Sequence, residues 1–136
     1  MPGWTAADLQ SFAGRAAIVT GANSGLGEVT ARELARVGAD VILAVRSRAK
    51  GGAAAERMTG PKTGQVEVRQ LDLQDLSSVR RFADDIDKAD VLINNAGIMA
   101  ADYALTADGF ERHIGTNHLG HFALTTTCCC PSSLTG

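Results

Sequence analysis

Residues 15–27 read RAAIVTGANSGLG, an apolar run that ends in a glycine-rich turn. Ala16, Ala17, Ile18 and Val19 form a stretch short enough for a strand buried on both faces, as parallel sheets covered by helices require. Gly21, Gly25 and Gly27 let the chain turn sharply, approach a phosphate and pack the following helix on that strand. First-turn amides of a helix, here those around Leu26, lack intrahelical partners and sit at the positive end of its dipole. The turn is therefore expected to seat the pyrophosphate of a nucleotide, with Asn23 and Ser24 adding side-chain hydrogen bonds or a helix cap. Glycines alone are equally met in a capped loop; the flanks favour the phosphate. A strand precedes the turn, and Leu26, Thr30, Leu34 and Val37 are expected on one helical face before Gly38 ends the helix.

Outward from this turn, short apolar runs alternate with helical patterns. Upstream, Trp4–Phe12 reads as a lead-in in which Thr5 and Asp8 start a short helical turn and Trp4 is the candidate anchor. Downstream, DVILAV at 40–45 is a second strand, and Arg46 follows at its tip, where such folds face the adenosine ribose. A carboxylate there would bind the 2′-hydroxyl of NAD; Arg46 instead suits the 2′-phosphate of NADP, while Arg48 and Lys50 read as solvated charges. The alanine-rich segment 48–58 is expected to be helical, with Gly51 and Gly52 weakening its first turn. Val66, Val68 and Leu71 alternate with polar residues as a third strand near the sheet edge, ending in Asp72 and Leu73. Asp72 is also a candidate cap for the next helix, Ser77–Ile86, whose Leu76, Val79, Phe82 and Ile86 share a face. A fourth strand, DVLI at 90–93, runs into Asn94, Asn95, Ala96 and Gly97. Here the asparagines can close the sheet's carboxyl end and the glycine can pass beside a ribose. Asp108 is expected to open a long helix with Phe110, Ile114, Asn117, His121 and Leu124 on one core-facing stripe. Four strands alternating with helices imply an α/β doubly wound parallel sheet with right-handed crossovers.

The 136 residues carry a net charge of -2, which gives no general attraction to nucleic acid, and no nucleic-acid partner is expected. No apolar run approaches the ~20 residues of a membrane span and no secretory signal layout opens the chain, so no membrane partner and a cytoplasmic location are expected. All three cysteines stand together at Cys128, Cys129 and Cys130, a spacing that suits neither a disulfide framework nor a zinc site. His113, His118 and His121 lack a carboxylate or thiolate at matching spacing, and no metal is expected.

TGANSGLG at 20–27 resembles the T-G-x-x-x-G-x-G turn of the short-chain dehydrogenase/reductase family, and NNAG at 94–97 resembles the motif after that family's fourth strand. TNHLGHF at 116–122 is most similar to its retinol-dehydrogenase-like members. The resemblance covers about residues 15–121 and implies a Rossmann-type sheet of strand order 3-2-1-4, NAD(P) as cofactor and a small-molecule alcohol or carbonyl substrate. It implies cofactor contacts at Gly21, Asn23, Ser24, Gly25, Leu26, Gly27, Arg46, Asp72, Leu73, Asn95, Ala96 and Gly97, with Asp72 on the adenine and NADP preferred over NAD. Asn117 takes the place of the asparagine of the catalytic tetrad; a buried structural amide is the plainer alternative.

The resemblance also calls for a Ser on a fifth strand and a Tyr-x-x-x-Lys, the general acid/base and the lysine that lowers its pKa. The only tyrosine, Tyr103, is followed four residues on by Ala107. A family member of this type runs to ~250 residues. The chain is accordingly divided into a lead-in (1–14), an incomplete NAD(P)-binding domain (15–127), truncated after about four strands, and an aberrant Cys/Ser tail (128–136). It is expected to be catalytically silent, with homo-oligomerisation doubtful and the fourth strand left as an open edge. A non-catalytic nucleotide-binding module or a non-functional product is the alternative. Residues 127–136 can be encoded as ACC TGC TGC TGC CCG TCG TCA CTG ACC GGN. Regrouped from the third nucleotide, this string reads Leu-Leu-Leu-Pro-Val-Val-Thr-Asp-Arg, a continuation that fits an apolar helix. A frameshift near Thr126 is the hypothesis. Sequencing the gene tests it: a downstream frame is expected to encode the Ser and the Tyr-x-x-x-Lys, and their absence from every frame overturns it.

Overall fold

The computed structural model describes residues 3–61 and 63–129. Four strands, β1 (Ala16–Thr20), β2 (Asp40–Val45), β3 (Val66–Gln70) and β4 (Val91–Ile93), form one sheet in the order β3-β2-β1-β4. All three pairings are parallel, with Ile18 opposite Ile42 and Leu92, and Leu43 opposite Val68. The crossovers are helices α1 (Gly25–Arg36), α2 (Arg48–Glu56) and α3 (Leu76–Asp84). Helix α4 follows β4 and a long irregular segment. It begins at Arg112–Ile114, widens into a π turn over Gly115–Leu119 and continues as Gly120–Cys129.

Each sheet face carries its own core. On one, Val19, Val41, Leu43 and Val45 pack against Ala31, Leu34 and Ala35 of α1 and Ala54 of α2. On the other, Ile18, Ala44, Leu71 and Leu73 meet Val79 and Phe82 of α3 and Leu124 of α4. A strand buried on both sides explains why β1 and β2 read as continuous apolar runs, whereas β3, at the edge, alternates.

Several expectations are corrected. The buried stripe of α1 is Gly27, Ala31, Leu34 and Ala35, one position away from the face expected; Leu26 is 80% exposed and only Leu34 is common to both. The glycine turn brings the start of α1 so close to the end of β1 that a Cβ at Gly27 would fall 2.5 Å from the Gly21 carbonyl oxygen. Asp108 does not open α4. Its carboxylate instead accepts the Leu76 N–H at the start of α3. Glu111 is the cap of α4, accepting the N–H groups of His113 and Ile114, and these bonds with that to the His113 ring hold its pKa down at about 2. The stripe expected on α4 also breaks up: Phe110 lies before the helix, Ile114 and Asn117 are exposed, and His121 and Leu124 are buried, the π turn shifting the helical register between Ile114 and His121. Asp75, not Asp72, caps α3 through the amides of Ser77 and Ser78. Trp4 is exposed rather than an anchor; the lead-in is tied down by Phe12, packed on the first core, and by Arg36 donating to the Ala6 carbonyl. The short turn Ala6–Asp8 forms as expected, with the Asp8 carboxylate accepting from Thr5. Cys128 packs on the second core, and the tail reading for residues 130–136 lies outside the described residues.

Gly51 has a purpose that its helix-weakening effect conceals. A Cβ there would stand 2.6 Å from Val45 Cγ2 and 2.7 Å from Val68 Cγ1, whereas at Gly52 nothing lies within 4 Å. The same substitution should therefore have opposite signs at neighbouring positions. Gly51→Ala is expected to destabilise by about 1–3 kcal/mol through overpacking, and Gly52→Ala to stabilise by about 0.5–1 kcal/mol through helix propensity. Urea unfolding of the two variants checks this.

Candidate functional site

The first two glycines of interest are fixed by what surrounds them. Gly21 has φ +65°, a left-handed conformation that disfavours side chains, and a Cβ on it would reach within 2.9 Å of the Ala96 backbone. At Gly27 a Cβ would fall 2.5 Å from the Gly21 carbonyl oxygen and closer still to the Asn95 amide. The turn after β1 and the segment after β4 are thus packed backbone to backbone. Asn95 completes the contact, its side-chain amide donating to the carbonyl of Thr20 at 3.0 Å.

Thr20, the last residue of β1, is fully buried and joins the two segments. Its hydroxyl accepts the N–H groups of Asn95 and Ala96, each at 2.9 Å. It also lies 2.9 Å from Nε2 of His121 on α4. Gly97 sits beneath the amide of Asn117, which is bonded twice to Ile98: its Oδ1 accepts the Ile98 N–H at 2.8 Å and its Nδ2 donates to the Ile98 carbonyl at 2.9 Å. Asn117 is exposed, so the expected core-facing amide is corrected to a clamp on the loop after β4.

At the carboxyl ends of β1, β2 and β4 these elements enclose a cleft of about 150 Å³. Gly21, Asn23, Arg46, Asp72, Leu73, Ala96 and Gly97 all line it, joined by Thr20, Ala44, Ile98 and Thr116. Ser24 and Gly25 are exposed at the start of α1 with Leu26, Gly27 is buried below, and Asn95 links the walls. Ser24 is the extended N-cap residue of α1 and makes no side-chain cap bond. Asp72 Oδ1 accepts the Gln74 N–H, and its own N–H donates to Ser78 Oγ. Asp72 also borders a broader hollow of about 410 Å³ that continues past the tip of β3 between Arg48, Arg69 and Arg81. Asn117 lies in a separate open cleft of about 390 Å³ with Asn94, His118, His121, Phe122 and Thr125.

The cleft offers a dinucleotide both an unpaired polar group and open space. Thr116, 7% exposed, lines it, and its hydroxyl is buried with no hydrogen-bond partner among the described residues. Such an orphan is rare in a folded protein, and a polar group bound against Thr116 would supply the partner it lacks. Gly25, with nothing within 4 Å of its would-be side chain, leaves space beside the amides of α1. The residues present fit the group.

Three participants were not legible as site residues. Thr20 ended an apolar strand and so read as part of the sheet; its position directly before Gly21 is the available signal. Thr116 and His121 became visible only once the π turn had set their directions. The histidines stand apart. His113 bonds Glu111 through Nδ1 at 2.7 Å and accepts the Ala101 N–H through Nε2; His118 is exposed beside the Phe122 ring. No group of three His, Cys, Asp or Glu suited to a metal occurs among the described residues.

The family model described as short chain dehydrogenase matches residues 15–131. Retinol dehydrogenase 12 of Bos taurus is 51% identical over 123 residues, covering 87% of this chain and 39% of that protein. Retinol dehydrogenase 11 of Mus musculus is 54% identical over 119 residues, or 82% of this chain and 37% of the relative. The chain thus spans less than two-fifths of these curated relatives. Among solved structures, an uncharacterized protein from Mycobacterium paratuberculosis superposes with a TM-score of 0.87 at 71% identity, covering 94% of this chain and 46% of that one. A short-chain dehydrogenase from Sphingobium yanoikuyae in complex with NADPH gives a TM-score of 0.69 at 32% identity, over 84% of this chain and 48% of that one. With four parallel strands in the order β3-β2-β1-β4 and its glycine turn packed against its NNAG segment, the chain belongs to the short chain dehydrogenase family of oxidoreductases and is retinol dehydrogenase-like.

Proposed function

We propose that this chain supplies the NADP-binding part of an oxidoreductase acting on a small-molecule alcohol/carbonyl pair. The observation that carries the reading is the junction of two motifs: the turn 21–27 and the segment 95–97 meet between β1 and β4, where the strand order reverses. Open α/β sheets bind ligands at such a point, outside the carboxyl ends of their strands.

In this reading the amides of Gly21–Gly27 and the start of α1 hold the pyrophosphate, aided by Asn23 and Ser24. Arg46 grips the 2′-phosphate of the adenosine ribose, with Asp72 and Leu73 against the base. Asn95 braces the wall that Ala96 and Gly97 present to the second ribose, and the Thr116 hydroxyl gains its missing partner. When bound, the nicotinamide accepts or gives the hydride. Asn117, the candidate catalytic residue, holds the loop at Ile98 so that this wall keeps its shape. Tyr103, 77% exposed and without a lysine four residues on, does not serve as the acid/base.

The preference for NADP rests on charge. Arg46 is exposed, lines the cleft and stands where a carboxylate would select NAD; its guanidinium can meet a phosphate with two parallel bonds. NADPH in the Sphingobium yanoikuyae relative agrees with this choice.

Thermal unfolding of the 136-residue chain with each dinucleotide tests the binding site. At 100 times its dissociation constant NADP is expected to stabilise by about 2.7 kcal/mol, seen as a raised Tm. No rise with either NADP or NAD overturns the reading. Exchanging Arg46 for Asp tests the phosphate grip: NADP affinity should drop at least tenfold while NAD binding holds or tightens, since a charged hydrogen bond is lost and a repulsion gained. An unchanged ratio of the two affinities removes Arg46 from that role.

A further inference from the structure

The Thr20 hydroxyl has one proton to give and two lone pairs to share. Both lone pairs are engaged by the N–H groups of Asn95 and Ala96 at 2.9 Å. Its proton therefore needs an acceptor, and the nearest is Nε2 of His121 at 2.9 Å, against 3.4 Å for the Ile93 carbonyl. With the Thr20 proton directed at it, Nε2 of the imidazole is bare and accepts, and Nδ1 carries the hydrogen, directed at the Asn117 carbonyl 3.4 Å away. Asn117 lies inside the π turn, and its side chain clamps Ile98. One ring thus links the end of β1, the NNAG segment and the π turn.

We propose that neutral, Nδ1-protonated His121 is a positioning residue of the dinucleotide site, holding the Ala96–Gly97 wall in place through Thr20 and fixing the π turn at Asn117. The proposal rests on the NADP-binding reading, and it assigns to His121 a duty distinct from helix packing. A doubly protonated ring turns a second N–H toward a hydroxyl whose lone pairs are already taken, so the junction opens. Burial of His121, 6% exposed, keeps the ring below its ordinary pKa of 6.5 and opposes that state. His118 is the other titratable group lining its cleft; the remaining lining side chains, from the loop after β4 and from α4, are Asn94, Ala96, Asn117, Phe122, Thr125 and Thr126. Because the folded-state pKa lies below the unfolded one, the neutral ring's contribution is whole above about pH 6.5 and declines as the pH falls below it.

The test uses the whole 136-residue chain. Nitrogen-15 NMR of the histidine rings at pH 7.5, with no nucleotide present, is expected to show His121 with a bare Nε2 and a protonated Nδ1; the opposite tautomer overturns the proposal whether or not NADP binds. Hydrogen exchange then reads the junction. His121→Phe, which keeps a ring but offers no acceptor, should speed exchange at the Asn95 and Ala96 amides at least tenfold relative to Val41 and Leu43 in β2, and weaken NADP about tenfold. His121→Gln, whose side-chain oxygen can accept the Thr20 proton, should bring both values back to within about threefold of the parent. Equal loss in the two variants, or none in either, overturns the positioning role. If the Phe variant fails to fold, the ring tautomer and the Gln variant still decide. A parent chain that shows the expected tautomer and exchange pattern yet binds no NADP sinks the nucleotide reading and leaves the His121–Thr20 junction standing.

Discussion

The hydroxyl of Thr20 connects parts of the chain that are far apart in sequence. It accepts from residues 75 and 76 positions downstream and reaches a ring 101 positions away. A buried hydroxyl with three partners is held by geometry, since losing any one strands a polar group in a dry interior. Around it the backbone of the glycine turn and that of the NNAG segment come within van der Waals contact, which requires hydrogen in place of a side chain at Gly21 and Gly27. The mouth of the sheet is therefore assembled from main chain. A surface of amides and small residues is what a dinucleotide's phosphates and riboses can approach closely.

The two cores serve this mouth differently. Under α1 and α2 the packing is close because alanines and glycines face the strands, so α1 begins almost on top of β1. Under α3 and α4 the side chains are larger, with Phe82 and Leu124 filling the space. On the first side Gly27 at the start of α1 lies against the Gly21 carbonyl; on the second, the π turn of α4 carries Asn117, whose side chain is bonded to Ile98 in the loop after β4. A widened turn of this kind costs helix hydrogen bonding and persists where the surroundings hold it. Here Asn117 and His121 both do so.

The chain belongs to the short chain dehydrogenase family and spans 39% of the bovine retinol dehydrogenase it matches. Strand β4 is the last in the sheet and pairs with β1 alone among the described residues. Its Val91, Leu92 and Ile93 are only half buried. No helix among the described residues is long and apolar enough to cross a membrane.

The alternation of apolar runs and helical patterns pointed to the α/β class and the parallel sheet, and the resemblance carried by TGANSGLG and NNAG implied the order 3-2-1-4 and the grouping of Gly21, Asn23, Arg46, Asp72, Leu73, Ala96 and Gly97 at its mouth. The class and the parallel sheet follow from sequence because they rest on local periodicity, and the glycine turn because its backbone demands are its own; the strand order came through the resemblance. Three things waited for the tertiary structure: which stripe of α1 is buried, where α4 begins, and what Thr20, Thr116 and His121 touch. Helical spacing names candidate faces but not the distance to the sheet, and a one-residue rotation exchanges Leu26 for Gly27. Likewise the direction of His121 depends on a π turn stabilised by a side chain bonded 19 residues away. Long-range contacts of this sort carry no local signature, so only the folded chain could decide them.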